Sequence, residues 1–280
     1  MSAPVERGGA CAKTIPMQLP LVQADPSEAP RASLPPLQER WVIGLLGELP
    51  PAETRITCEA CVKVPPPGEP MGPKQFHPDT KCCTYLPVLH NFQVGALLDD
   101  PETSPAGLAS VQRRIDDDLG VTPVGLIGQA DYFARYSNES FGRDPTLLCP
   151  HYLSAEGGRC GVWRHRNATC STWFCRCDRG RQSFQFWRMG LMPALRAAEE
   201  TVSDWALFAL GASEKDWGPW TDRRAFYRAA ARIGYGLSWE RVLDLGGARL
   251  KPINEQAVRF YQELQDSPPD TEWENAPSPI

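Results

Sequence analysis

The sequence predicts a mainly α-helical protein with little β structure, in which irregular cysteine-rich segments are organised by a metal centre. Three observations carry this reading. Apolar residues recur with helical period over several stretches. The segment from Thr57 to Asn91 has neither a helical nor a strand period. The ten cysteines fall at short spacings, mostly in two blocks, which is how metal half-sites are written in sequence.

Taken in order, residues 1–36 hold seven prolines and no apolar period, the composition of a disordered leader. Leu37 to Leu49 reads as a short helix stopped by Pro50-Pro51. Ser104-Pro105 caps a helix with Leu108, Val111, Ile115 and Leu119 on one stripe. Asp116, Asp117 and Asp118 lie at the end of that helix, where acids oppose the dipole, and read as a solvated face. Ser183 to Gly211 is mostly helix, with Pro193 as a start or kink. Asp222 to Ile233 is another helix. Asn254 is expected to cap a last one, with Ala257, Phe260, Tyr261 and Leu264 inward.

The chain thus divides into a Pro-rich leader (1–36), a cysteine-cluster metal-binding domain (37–182), a helical part packed on it (183–266) and a disordered acidic tail (267–280). Nine tryptophans, most in the second half, imply a solid apolar body there.

The N-terminal residues lack the basic segment and apolar run of a secretory signal. No stretch approaches the ~18 consecutive apolar residues of a membrane span. These features read as a cytoplasmic protein that spans no membrane, where disulfides are scarce. A net charge of −5 argues against a general nucleic-acid binder, which needs a basic balance.

Ten cysteines in a reducing compartment then call for thiolate chemistry. The first block is Cys58-x-x-Cys61 followed, after twenty residues, by adjacent Cys82-Cys83. The second is Cys149, Cys160, Cys170, Cys175 and Cys177, five cysteines within 29 residues. In C-x-x-C a tight turn aims both sulfurs at one point. Neighbours such as Cys82 and Cys83 point to opposite sides of an extended backbone, so both can serve one ion only in a sharp turn. Cys11 stands alone in the leader, and Cys177 is either an alternative ligand or a buried thiol.

This order, C-x-x-C, then CC, then C, then C-G-V-W-x-x-R-x-x-x-C-x-x-x-x-C, resembles the YkgJ-like cysteine-cluster family, whose domain is described as zinc- or iron-chelating. The resemblance spans roughly residues 57–178 and implies eight ligands: Cys58, Cys61, Cys82, Cys83, Cys149, Cys160, Cys170 and Cys175. Asn167 stands where the family usually has proline, and the first pair lies further from the double cysteine than in close relatives. Relatives include the flagellin lysine N-methylase, so the resemblance admits an enzyme.

From Arg159 to Arg188 seven arginines face one acid, Asp178. Such a surround offsets the negative charge of a thiolate centre, and Arg164, Arg166 and Arg176 are placed to hold an anionic cofactor or cosubstrate. Eight thiolates suit a 4Fe-4S iron–sulfur cluster or zinc. His151 and His165 lie beside ligand candidates and could replace a cysteine at a zinc site; His77 and His90 lie further off. The expected function is a metal-binding protein, structural or redox. The alternatives are a methylase-like protein- or peptide-modifying enzyme, or a zinc-folded platform for a protein partner.

Arg241-Val-Leu-Asp-Leu-Gly-Gly-Ala-Arg249 resembles a strand-and-glycine turn of S-adenosylmethionine-dependent methyltransferases. Too few residues follow for the alternating strand–helix units of that fold, so a helix end at Gly246-Gly247 is expected instead.

Overall fold

The computed structural model describes residues 33–53, 61, 63–73, 75–137, 139–173, 177 and 179–268. Residues 1–32 and most of the acidic tail lie outside them; the last residues of the expected leader are ordered structure, with Leu34 buried in the core and Pro36 opening the first helix. The described residues are mainly helical, with 54% helix and 5% strand. Among the described residues no helix is long and apolar enough to cross a membrane.

Helix α1 (Pro36–Leu46) presents Leu37, Trp41 and Val42 to the interior. It ends three residues before the expected boundary. Gly47 takes a left-handed conformation (φ 85°) and its N–H bonds back to the Ile43 carbonyl at 2.8 Å, so a C-terminal glycine cap stops the helix and Pro50-Pro51 does not.

Strand β1 (Leu89–His90) leads into α2 (Asn91–Asp99), a helix with no clear period in the sequence because it is buried nearly all round. Helix α3 (Pro105–Asp116) starts as expected: Ser104 Oγ accepts from Gly107 N–H at 3.1 Å. It stops before Leu119, which lies beyond the helical stripe. Short strands β2 (Val121–Thr122) and β3 (Gly125–Leu126) close a three-stranded sheet in the order β1-β3-β2. Helix α4 (Ala130–Arg135) follows, and then the hairpin of β4 (Tyr152–Leu153) and β5 (Arg159–Cys160), with Tyr152 opposite Cys160.

A single helical turn, α5 (Ala168–Ser171), precedes one continuous run: α6 (Gly180–Phe184), a π-helical segment (Gln185–Leu191) and α7 (Met192–Ala209). Pro193 has no N–H for the carbonyl of Met189; Gln256 Nε2 donates to that carbonyl at 3.1 Å instead. The kink is thus satisfied from another helix.

Helix α8 (Arg223–Gly234) is capped by Asp222, which accepts from Arg224 N–H at 2.9 Å and Ala225 N–H at 3.1 Å. Its first residues explain the acids of α3. Arg224 pairs with Asp116, and Arg223 with Asp118 at 2.5 Å. Each charge opposes its own helix dipole, and the two ends neutralise one another.

Helix α9 (Trp239–Gln265) corrects the expected cap at Asn254. The residue lies inside the helix and is buried. The break is at Gly247 (φ 51°, ψ −132°), a conformation glycine adopts at little cost. The helix end expected at Gly246-Gly247 is therefore present as a break, with Ala257, Tyr261 and Leu264 inward beyond it.

Two apolar clusters form the body. One joins α1, Phe92, the π segment, α7 and α9; the other joins β1, α2, α3, β3 and the Phe226–Tyr227 face of α8. Helices α2 and α8 meet with almost no spacing between backbones: a Cβ at Gly95 would lie 1.8 Å from the Tyr227 carbonyl oxygen.

Candidate metal centre

The first cysteine block is shaped by consecutive turns. Lys81 N–H bonds to the His77 carbonyl (2.9 Å), Cys83 N–H to Thr80 (2.9 Å) and Tyr85 N–H to Cys82 (3.2 Å). Lys81 is left-handed at φ 50°, so the chain reverses sharply just before the adjacent pair. The adjacent pair thus sits on a sharp turn, the arrangement that serving one ion would require.

The second block is sewn onto the first by its backbone. Cys149 N–H donates to the Cys83 carbonyl at 2.7 Å, and Tyr152 N–H to the Cys149 carbonyl at 3.0 Å. The β4–β5 hairpin then returns the chain to Cys160. Asn167 caps α5 by accepting from Cys170 N–H at 3.1 Å. It fixes the turn that carries Cys170. Asn167→Ala is expected to cost about 1 kcal/mol, measured by chemical denaturation, while Asn167→Asp retains the cap.

Six of the eight expected ligands are described: Cys61, Cys82, Cys83, Cys149, Cys160 and Cys170. No disulfide joins the described cysteines. Their thiols act on one another across the two blocks. The hydrogen bond with Cys83 holds the Cys82 thiol well above its ordinary value, followed by burial and the charges of Cys83 and Cys61. Burial pushes Cys149 up to about 12, with Cys160 and Cys82 adding to it. Burial likewise raises Cys170 strongly, assisted by Cys160, Cys149 and Cys82. Two arginines oppose this: Arg166 lowers both Cys82 and Cys170, and Arg114 lowers Cys149.

Among the described residues, no group of three or more His, Cys, Asp or Glu side chains is drawn together closely enough to hold a metal ion. Cys58 and Cys175 lie outside those residues, as do Cys11 and Arg176. Cys177 is buried, at 1% exposure, ahead of α6.

The arginines divide. Arg164 is engaged, its Nε on Asp100 at 2.9 Å and a terminal nitrogen on Glu102 at 2.8 Å. Arg166 stacks over Trp163 at 5.1 Å, and its buried Nε has no partner. An aromatic group lies beside the thiols: Tyr85, Tyr132 and Tyr136 in contact, then Phe141 and Trp173, with the Arg188 guanidinium 3.8 Å over the Trp173 ring.

The histidines differ in how their ring nitrogens are used, and His90 Nδ1 and His151 Nε2 are buried without a hydrogen-bond partner. His165 uses both ring nitrogens, Nε2 on Asp100 (2.7 Å) and Nδ1 on the Tyr235 hydroxyl. His151 precedes Tyr152, so strand alternation sends its ring away from the Cys160 side, to Ser110 Oγ of α3 at 2.7 Å. Burial lowers its pKa to about 3. His90 caps α2, with its pKa lowered to about 4 by burial. His77 Nδ1 accepts from Asp79 N–H at 3.2 Å.

One residue of the site's support had no place in the reading of the sequence. Glu199, 1% exposed, accepts from Gln38 Nε2 (2.9 Å), Gln93 Nε2 (2.9 Å) and Ala168 N–H (3.0 Å). It ties α1, α2 and α7 to the turn that carries Cys170. The signal was its register: Glu199 lies one turn from Leu195 and Val202, on the apolar stripe of α7. Burial pushes its carboxyl up to about 8, against the opposing hydrogen bonds. A raised pKa contributes stability that is lost as pH rises. Between about pH 7 and 8 the metal-free protein is expected to lose roughly 1 kcal/mol per pH unit, and Glu199→Gln to flatten that slope. Urea denaturation across this window measures it; His90 and His151 are neutral in both states there.

No protein-family model, curated protein or solved structure matches the chain.

Proposed function

We propose that this chain is a metal-binding protein whose two cysteine blocks form one thiolate-ligated centre, an iron–sulfur cluster with zinc as the alternative metal. The observation that supports the reading is the backbone junction of the two blocks, where Cys149 N–H donates to the Cys83 carbonyl at 2.7 Å and the β4–β5 hairpin brings the chain back to Cys160, with thiols of the two blocks raising one another's pKa. The donor set fits. Soft sulfur ligands select zinc or iron–sulfur, and the histidines with described partners are used elsewhere. Cys58 and Cys175 complete the set by resemblance alone. Bound there, a cluster supplies one-electron transfer, whereas zinc supplies folding energy and Lewis acidity. The chain's own residues exclude water with the Tyr85–Tyr132–Tyr136 and Trp173 rings and offset thiolate charge through Arg166.

Anaerobic purification with metal analysis and visible absorption tests this. A brown protein that bleaches on oxidation supports the cluster, and a colourless one with stoichiometric zinc supports zinc. A soluble protein with neither metal overturns the reading.

A further inference from the structure

We propose that the cleft between α1 and the two halves of α9 binds a small neutral amide, one whose N–H and C=O lie on the same edge, through the Asn254 carboxamide. The cleft is built from other residues than the thiol site, and the proposal does not rest on the metal-centre reading.

The cleft follows from the break in α9. At Gly247 the helix turns (φ 51°), and a Cβ placed there would meet nothing within 4 Å, so the bend stays open on that side. Leu243 before the break, Val258 beyond it and Leu45 of α1 wall the space together with Trp239. Its volume is about 580 Å³, within the range of about 300–1,000 Å³ that holds small ligands. Asp244 and Glu255 line it alongside Lys251 and Arg259. Two acids thus offset two bases, and a neutral ligand suits the cleft better than an ion.

Asn254 supplies the polar contact. Leu250, Asn254, Ala257 and Tyr261 form one buried stripe of α9, a register that otherwise carries apolar side chains. Asn254 is 7% exposed, lines the cleft, and has no hydrogen-bond partner at Oδ1 or Nδ2. Among the described residues it is the only side chain with two such atoms. Buried polar groups are nearly always satisfied, and this fold satisfies its other buried helical asparagine completely. Asn91 Nδ2 donates to the Pro123 and Ser203 carbonyls at 3.1 and 3.2 Å, and its Oδ1 accepts from Phe92 N–H at 2.7 Å.

The chemistry of the ligand follows from the carboxamide, which presents a donor and an acceptor on one edge. Its complement presents an acceptor and a donor the same way. Primary amides do this, and secondary amides do it in the cis form that a ring enforces. Both Asn254 atoms are covered in the ligand-free fold. The terminal torsion of asparagine is broad, and with no hydrogen bond to break the carboxamide turns toward the cleft at little cost.

The probe is carbostyril, a ring amide fused to a benzene ring, and the control is N-methylcarbostyril, which lacks the N–H. Binding of each to the full chain is measured by titration calorimetry. Wild type is expected to bind the probe about tenfold more tightly than the control, and Asn254→Ala to lose that preference. Val258→Phe narrows the cleft, keeps the carboxamide, and is expected to weaken both. No binding of the probe, equal binding of probe and control, or a preference that survives Asn254→Ala overturns the proposal. If Asn254→Ala does not fold, Val258→Phe decides: weakened probe binding by the folded variant supports the site, and unchanged binding overturns it.

Discussion

Serine at both Cys82 and Cys149 is expected to empty the protein of metal and abolish its stabilisation by added metal. These two thiols lie at the junction of the blocks, where Cys149 N–H meets the Cys83 carbonyl at 2.7 Å. Cys82 is coupled to Cys83 and Cys61 on its own side and acts on Cys149 and Cys170 across the junction. Replacing both takes one sulfur from each half-site, and serine is too hard a donor to replace it. The backbone bond between the blocks does not depend on the side chains, so the metal-free fold is expected to persist. Metal per chain and the metal-dependent shift in melting temperature read the result. A ligand that binds only the native state stabilises it by about 2.7 kcal/mol at a hundredfold excess over Kd. The double variant should show none of that shift. Retention of full metal content would mean that the blocks do not form a shared centre.

The second large effect lies outside the thiols. Gly95→Ala is expected to destabilise the fold by about 3 kcal/mol, read as a fall in melting temperature. The added Cβ would lie 1.8 Å from the Tyr227 carbonyl oxygen and 2.8 Å from the Ala231 side chain. Backbone cannot yield as a flexible side chain does, so α2 and α8 must separate. Their separation reaches the site. Asp100 caps the end of α2 and Tyr235 the end of α8, and together they grip His165 between Cys160 and Cys170. Metal uptake should therefore weaken alongside stability.

Features written locally were legible in the sequence. Ser104 and Asp222 both cap helices as their side-chain chemistry dictates. The adjacent pair Cys82-Cys83 was readable only as a choice, and the sharp turn at Lys81 that one of its options needs is formed by tertiary structure rather than by any local signal. What could not be read depends on tertiary partners. Asn254 looks like a cap because nothing local reveals that Gly247 takes the break. Helix α2 hides its period because both of its faces are covered. Arg164 and Arg166 are near-neighbours in an arginine-rich run, yet one is engaged by Asp100 and Glu102 and the other faces the thiols. That division is set by residues more than sixty positions away, beyond any local motif.

The central claim is that sulfur from both blocks surrounds one kind of metal centre. X-ray absorption at the metal edge of the anaerobically purified protein tests it most directly. The account predicts a first shell dominated by sulfur at about 2.3 Å, with iron neighbours beyond it if the centre is a cluster. A first shell of nitrogen and oxygen at about 2.0–2.2 Å would contradict it.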